Sequence, residues 1–140
     1  MTTAFQQILD KFSSNPKKLF LTDSIGAGIS AIFLGVILVW LEEIIGMPTP
    51  VLFALSSMAC VYAIYSICCY FILNNNWQPY LNFIAFANLA HCIITIGLIV
   101  HFYHKLTILG LTYFGIELII IFGIIIIEFK VASNLTAENN

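Results

Sequence analysis

Four long apolar runs dominate the chain, and polar residues are confined to its ends, to short joining segments and to isolated positions inside the runs. A hydrocarbon core about 30 Å thick takes roughly 20 apolar residues to cross as a helix. The runs at about Leu19 to Leu41, Pro50 to Leu73, Pro79 to Tyr103 and Leu106 to Phe129 meet that length. The first is too long for a signal-peptide core, lacks a small-residue cleavage site and is followed by Glu42 and Glu43, so it is expected to be retained. The joining segments GMPTP, NNNWQP and HFYHKLT are short, which makes successive helices antiparallel neighbours. The expected fold is an all-α membrane protein with four transmembrane helices in an antiparallel up-down bundle.

Before the first run, Phe5, Ile8, Leu9 and Phe12 recur at helical spacing among polar residues, and Ser13, Ser14, Asn15 and Pro16 stop the pattern. Residues 1–18 are therefore read as an amphipathic segment with a short interfacial helix. Residues 19–130 form the transmembrane domain. The polar end, SNLTAENN, places residues 131–140 in a disordered tail. Trp40, Trp77, Tyr80 and Tyr103 fall at the expected boundaries, where amphipathic rings anchor to headgroups.

Composition agrees with this pattern. The chain is 61% hydrophobic and 9% charged with a mean hydropathy of +1.00, outside the range of soluble domains. Its five basic residues are all lysines and the net charge is -2, so no basic cluster exists to neutralise a run of phosphates. The expected partners are the lipid bilayer and either further copies of the chain or another membrane protein, with no nucleic acid. Lys11, Lys17, Lys18 and Lys130 lie toward one side and Lys105 toward the other. Lysine enrichment on the cytoplasmic side then puts both termini in the cytoplasm.

The isolated polar residues are the candidate site. Asp23, Ala27, Ala31 and Gly35 recur every four residues in the first run and share one face. Ala27, Ala31 and Gly35 are expected to pack closely against another helix, and Asp23 lies about a turn inside the boundary. In the third run Asn88, His91 and Thr95 fall within about 60 degrees of one another around the helix. Counting from both ends puts His91 and Glu117 near the bilayer midplane, on sequential helices. A charge there costs about 2.5–3.5 kcal/mol on insertion scales, so Glu117 is expected to face inward and either to hold a proton or to pair with His91. Tyr113, one turn before Glu117, is a further donor. Glu117, His91, Asn88, Tyr113 and Asp23 thus form the candidate polar centre or proton relay. Glu128 follows Glu117 by eleven residues (128 − 117) on the same face, but with Lys130 beside it the residue is read as a solvated boundary charge.

Other chemistry is sparse. Cys60, Cys68, Cys69 and Cys92 lie inside the runs without a Cys-x-x-Cys pair and read as small hydrophobes. His101 and His104 with Glu42 and Glu43 lack a metal-ligand spacing. No catalytic residue, metal or cofactor is expected.

The segments EEIIGMPTPVL, NNNWQPYLNFIAFANL and YHKLTILGLTYFGIELIIIF resemble those of an uncharacterised family of small four-helix integral membrane proteins of Bacteroidetes. The resemblance covers about Leu19 to Lys130. It implies a bacterial inner membrane and the same four-span layout, and it carries over no activity. Two functions stay open at this point. One is a protein without catalytic activity that works through helix contacts, as a homo-oligomer or as an accessory subunit of a membrane assembly. The other is a proton-coupled small transporter or channel that uses Glu117 and His91.

Overall fold

The computed structural model describes residues 2–138 and 140. Helix α1 (Thr2–Ser14) is followed by four helices long and apolar enough to cross a membrane: α2 (Pro16–Trp40), α4 (Thr49–Ile72), α5 (Trp77–His101) and α6 (Ile108–Glu138). A short helix, α3 (Glu42–Ile45), lies between α2 and α4. The protein is an all-α, multi-pass membrane protein, and its surface agrees: Phe71, Ile93 and Ile119 are among many large apolar side chains left mostly exposed. In water such a surface would aggregate, whereas lipid solvates it.

Local sequence explains the boundaries. Pro16 starts α2 at a position where a missing N–H costs nothing. Gly46 closes α3 in the left-handed region at φ 85°, and a side chain there would collide with the Lys105 carbonyl. That close approach ties the first and third connections together: the Thr107 N–H donates to the Ile45 carbonyl at 3.0 Å, and the Thr107 hydroxyl donates to the Ile44 carbonyl at 2.6 Å. Glu42 accepts from the Thr49 N–H at 3.0 Å and from the Thr49 hydroxyl, satisfying a free donor at the start of α4. Those bonds hold the Glu42 carboxyl below its ordinary range.

Helix α2 is not uniform. Residues Phe33–Ile37 form a π-helical turn, closed by the Leu38 N–H on the Phe33 carbonyl. Such a turn inserts one extra residue into the helix and rotates the residues on its far side. Phe33 faces a cavity, while Leu34 within the turn and Leu38 just past it enter an apolar core.

The spans pack as two close pairs, α2 with α4 and α5 with α6, and the pairs meet less extensively. Lipid is as apolar as these side chains, so packing and polar contacts, more than hydrophobic burial, hold the helices together. Ala31 and Gly35 sit in the tight seam of the first pair. The Ser56 hydroxyl of α4 donates to the Ala31 carbonyl at 2.8 Å, and a methyl on Gly35 would strike Ser56.

Two apolar cores close the ends of the bundle. At the end bearing the termini, Leu19, Phe20, Cys69, Leu81, Ile84 and Val131 pack together with Leu9 of α1. At the other end Leu34, Leu38, Met47, Leu52, Leu55 and Phe114 form the second. The buried polar side chains, Asp23, Ser66, Asn88, His91, Thr95, Glu117 and Glu128, belong to neither core.

The tail differs from the sequence expectation. Helix α6 continues to Glu138, so residues 131–138 are helical where a disordered segment was expected. Val131 and Ala132 are buried, Leu135 packs on the same core, and Asn134 donates to Ser13 at 3.3 Å. The amphipathic α1 supplies the surface on which this last stretch folds. Of the boundary aromatics, Trp40 and Tyr103 are exposed, whereas Trp77 packs onto Phe20 with ring centroids 6.0 Å apart.

Candidate functional site

The polar residues form two groups joined by one cavity. Near the terminal end, Asp23 of α2 is 4% exposed and Glu128 of α6 is fully buried. The Asn88 amide nitrogen lies 3.0 Å from Asp23 Oδ1 and 3.4 Å from Glu128 Oε2, donating to both. The Ser66 hydroxyl of α4 also donates to Asp23. All four spans therefore contribute one side chain to this cluster.

Glu128 overturns its sequence reading. It is not a solvated charge beside Lys130 but the most deeply buried acid of the chain, while Lys130 points outward over the Phe5 ring at 4.7 Å. The cause is the longer α6, which places Glu128 ten residues before the helix end (138 − 128) and under the cover of its neighbours.

The second group surrounds Glu117, which is 8% exposed. Its Oε1 accepts from the Ser30 hydroxyl of α2, and Tyr113 approaches the same serine. Its Oε2 is buried and has no hydrogen-bond partner. His91 is 2% exposed, its Nδ1 is likewise without a partner, and its ring meets that of Tyr62 edge to face at 5.9 Å. Among the described residues no direct hydrogen bond joins Glu117 to His91 or to Asn88. Ser30 takes the place that the sequence reading gave to His91, and Asn88 belongs to the Asp23 group. Thr95 is fully buried with its hydroxyl unpartnered.

A cavity of about 370 Å³ connects the groups and is lined by Asp23, Ser30, Asn88, His91, Tyr113 and Glu117, with Ala27 beside them. It lies between the two helix pairs. Gly26 and Ile29 of α2 and Ile116 and Ile120 of α6 also border it, and all four are exposed on the outer surface. The cavity therefore opens sideways, toward lipid, between α2 and α6. No atom lies within 4 Å of where a Gly26 side chain would begin, which keeps that opening clear.

Charge balance decides what this arrangement can do. Three carboxyl groups are buried, and none of the five lysines is. An uncompensated buried carboxylate is prohibitive in a medium of low dielectric constant. Each acid must hold a proton, share one or receive a cation from outside the chain. Among the described residues no group of His, Cys, Asp and Glu has the geometry to hold a metal ion.

Ser30 and Ser66 were not singled out in the sequence. Ser30 stands seven residues after Asp23 (30 − 23), on nearly the same helix face, and that spacing was the available signal. Comparison with family models, with curated proteins and with solved structures gives no match, so the reading of the site rests on its own chemistry.

Proposed function

We propose that the protein is a small proton-coupled carrier in which Glu117 is the exchanging carboxyl. His91 is its neighbour in the cavity, and Asp23 with Glu128 holds a second proton nearer the terminal end. The observation that carries this reading is that Glu117 lines a cavity open to lipid while one of its carboxyl oxygens is buried without a partner, in a chain without a buried lysine. A carboxyl that served packing alone would be expected to have both oxygens satisfied, because each unmade buried hydrogen bond costs about 1–3 kcal/mol. An ionisable group inside a membrane bundle is a functional candidate for the same reason.

Infrared difference spectroscopy of the protein in lipid bilayers tests the reading. A protonated-carboxyl band should lose intensity as pH rises while the protein stays folded, and that change should vanish in Glu117→Gln. A carboxyl spectrum constant across the folded range sinks the proposal.

A second reading has its own support. A shallow outer groove between α2 and α4 is bordered by Gly28, Ala31, Gly35, Phe53 and Ser56, small enough in places for another helix to approach closely. A homo-oligomer or an accessory subunit of a membrane assembly would use that face. The mass of the protein in mild detergent, with whatever copurifies, separates a monomer from either assembly.

The proposed setting is a bacterial inner membrane with both termini cytoplasmic, supported by the four lysines toward the terminal side. With the native cysteines removed, cysteines placed at Thr3 and Thr136 should react with impermeant reagents only after the membrane is opened. Labelling in intact spheroplasts reverses the orientation.

A further inference from the structure

We infer that the cavity between α2 and α6 binds a monovalent organic ammonium ion with apolar substituents, taken up from the lipid phase. The inference deepens the carrier reading and rests on it for transport, although binding can be measured separately.

Three features specify such a ligand. The first is charge: Glu117 faces the cavity with Oε2 buried and unpartnered, and no lysine is buried to neutralise it. A ligand cation placed there supplies the missing countercharge and leaves no buried carboxylate uncompensated. The second is the wall. Phe33, Tyr62 and Tyr113 line the cavity, with the Phe33 and Tyr113 rings stacked at 6.2 Å. Aromatic faces attract ammonium groups, the more strongly as water is excluded. Apart from these rings and its polar groups the lining is Gly, Ala and Ile, which favours carbon substituents and disfavours a hydrated inorganic ion.

Access is the third. The opening faces lipid, bordered by Ile29 of α2 and Ile116 and Ile120 of α6, and the apolar cores close both ends of the bundle. A hydrophilic cation from water meets those cores, whereas a lipophilic one dissolved in the bilayer reaches the carboxyl from the side. A volume of about 370 Å³ lies at the small end of the usual range of ligand sites, roughly 300–1,000 Å³. That size suits one ring or a few short alkyl groups.

Benzyltrimethylammonium and its neutral carbon isostere, neopentylbenzene, test the inference because they share a shape and differ in charge. The quaternary nitrogen cannot lose a proton, so its binding reports charge alone. The full-length protein labelled with fluorotyrosine, in bilayer nanodiscs, is followed by fluorine NMR with the Tyr62 and Tyr113 signals assigned by Tyr→Phe variants. The ammonium should shift both signals saturably, with at least tenfold tighter apparent binding than the isostere. Glu117→Gln should weaken it at least tenfold, while Glu43→Gln in the exposed connection should leave it unchanged.

Equal response to the two compounds, or none to either, overturns the inference and needs no variant, so a misfolded Glu117→Gln cannot protect it. The infrared titration runs without ligand and separates the two claims. Proton exchange without ammonium selectivity leaves the carrier reading standing and removes this substrate class. Selective binding without proton exchange keeps the site and removes the coupling.

Discussion

Glu128 is fully buried against Asp23 from the opposite end of the chain, and one amide, that of Asn88, donates to both carboxyl groups at 3.0 and 3.4 Å. Two carboxylates so placed repel each other unless a proton lies between them or a cation joins them. The cluster is therefore a seam that draws the four spans together, and its charge has to be balanced by a shared proton or a cation.

Replacing Asn88 with Leu keeps comparable bulk and removes the shared donor. Two buried acceptors then lose their partner, at about 1–3 kcal/mol each. Asn88→Leu is expected to lower thermal stability in detergent clearly, whereas Asn75→Ala, in the exposed connection, changes it little. In the Asn88→Leu background, Glu128→Gln should recover part of the loss by restoring a donor. Absence of any recovery would mean that the two carboxyl groups do not depend on the amide.

The seam between α2 and α4 allows a steric test. Ala31 is 7% exposed and Ile32 is 58% exposed. Ala31→Leu overpacks the seam, at about 1–3 kcal/mol, while Ile32→Leu faces lipid at nearly constant volume and should cost under about 1.5 kcal/mol. Two glycines sharpen the comparison. Gly97 has no atom within 4 Å of an added methyl, so Gly97→Ala should gain up to about 1 kcal/mol from helix propensity. Gly35→Ala must move the Ser56 hydroxyl from the Ala31 carbonyl and should lose that gain. Similar melting shifts for the two glycine variants would show that Ser56 yields without cost.

Glu42 supplies a pH dependence outside the membrane spans. Its bonds to the Thr49 hydroxyl and N–H lower the folded carboxyl's affinity for a proton relative to the unfolded chain. A depressed carboxyl stabilises the fold fully above the ordinary glutamate range, and that contribution disappears as pH falls through the lowered folded value. The Thr49 amide proton shift should therefore titrate with a midpoint below that of glutamate in an unstructured peptide. Glu42→Gln should abolish the titration. A midpoint at or above the peptide value contradicts the capping role.

The spans were legible because a run of about 20 apolar residues has few alternatives to a membrane helix. Glu128 was not legible. Lys130 and the polar residues after it marked a boundary, and only contacts from α1 and the rest of the bundle extend α6 and bury that end. The same long-range packing chose Ser30 over His91 for Glu117, since periodicity names the residues on a face without saying which helix that face will meet. The π-helical turn at Phe33–Ile37 contains Gly35 but no proline, and a lone glycine among apolar residues fits an α-helix equally well. Ala27, placed by its spacing in one stripe with Ala31 and Gly35, lines the cavity instead of the seam.

Ser30 and His91 compete for the role of Glu117's partner, and a pair of double-mutant cycles decides between them. The Ser30 hydroxyl donates to Glu117 Oε1, whereas His91 Nδ1 has no partner. Groups in direct contact show interaction energies of about 0.5–3 kcal/mol, while independent sites add within about 0.3–0.5 kcal/mol. Ser30→Ala and Glu117→Gln should each destabilise the bundle, and the double variant should cost less than their sum by an amount in the first range. The cycle of His91→Gln with Glu117→Gln should show the smaller coupling, because the two side chains share a cavity without a hydrogen bond. A larger coupling for His91 would mean that the histidine moves onto Glu117 in the membrane, displacing the serine. That result would also place the exchanging proton on a carboxyl–imidazole pair, which the carrier reading could accommodate but the present hydrogen bonding does not contain.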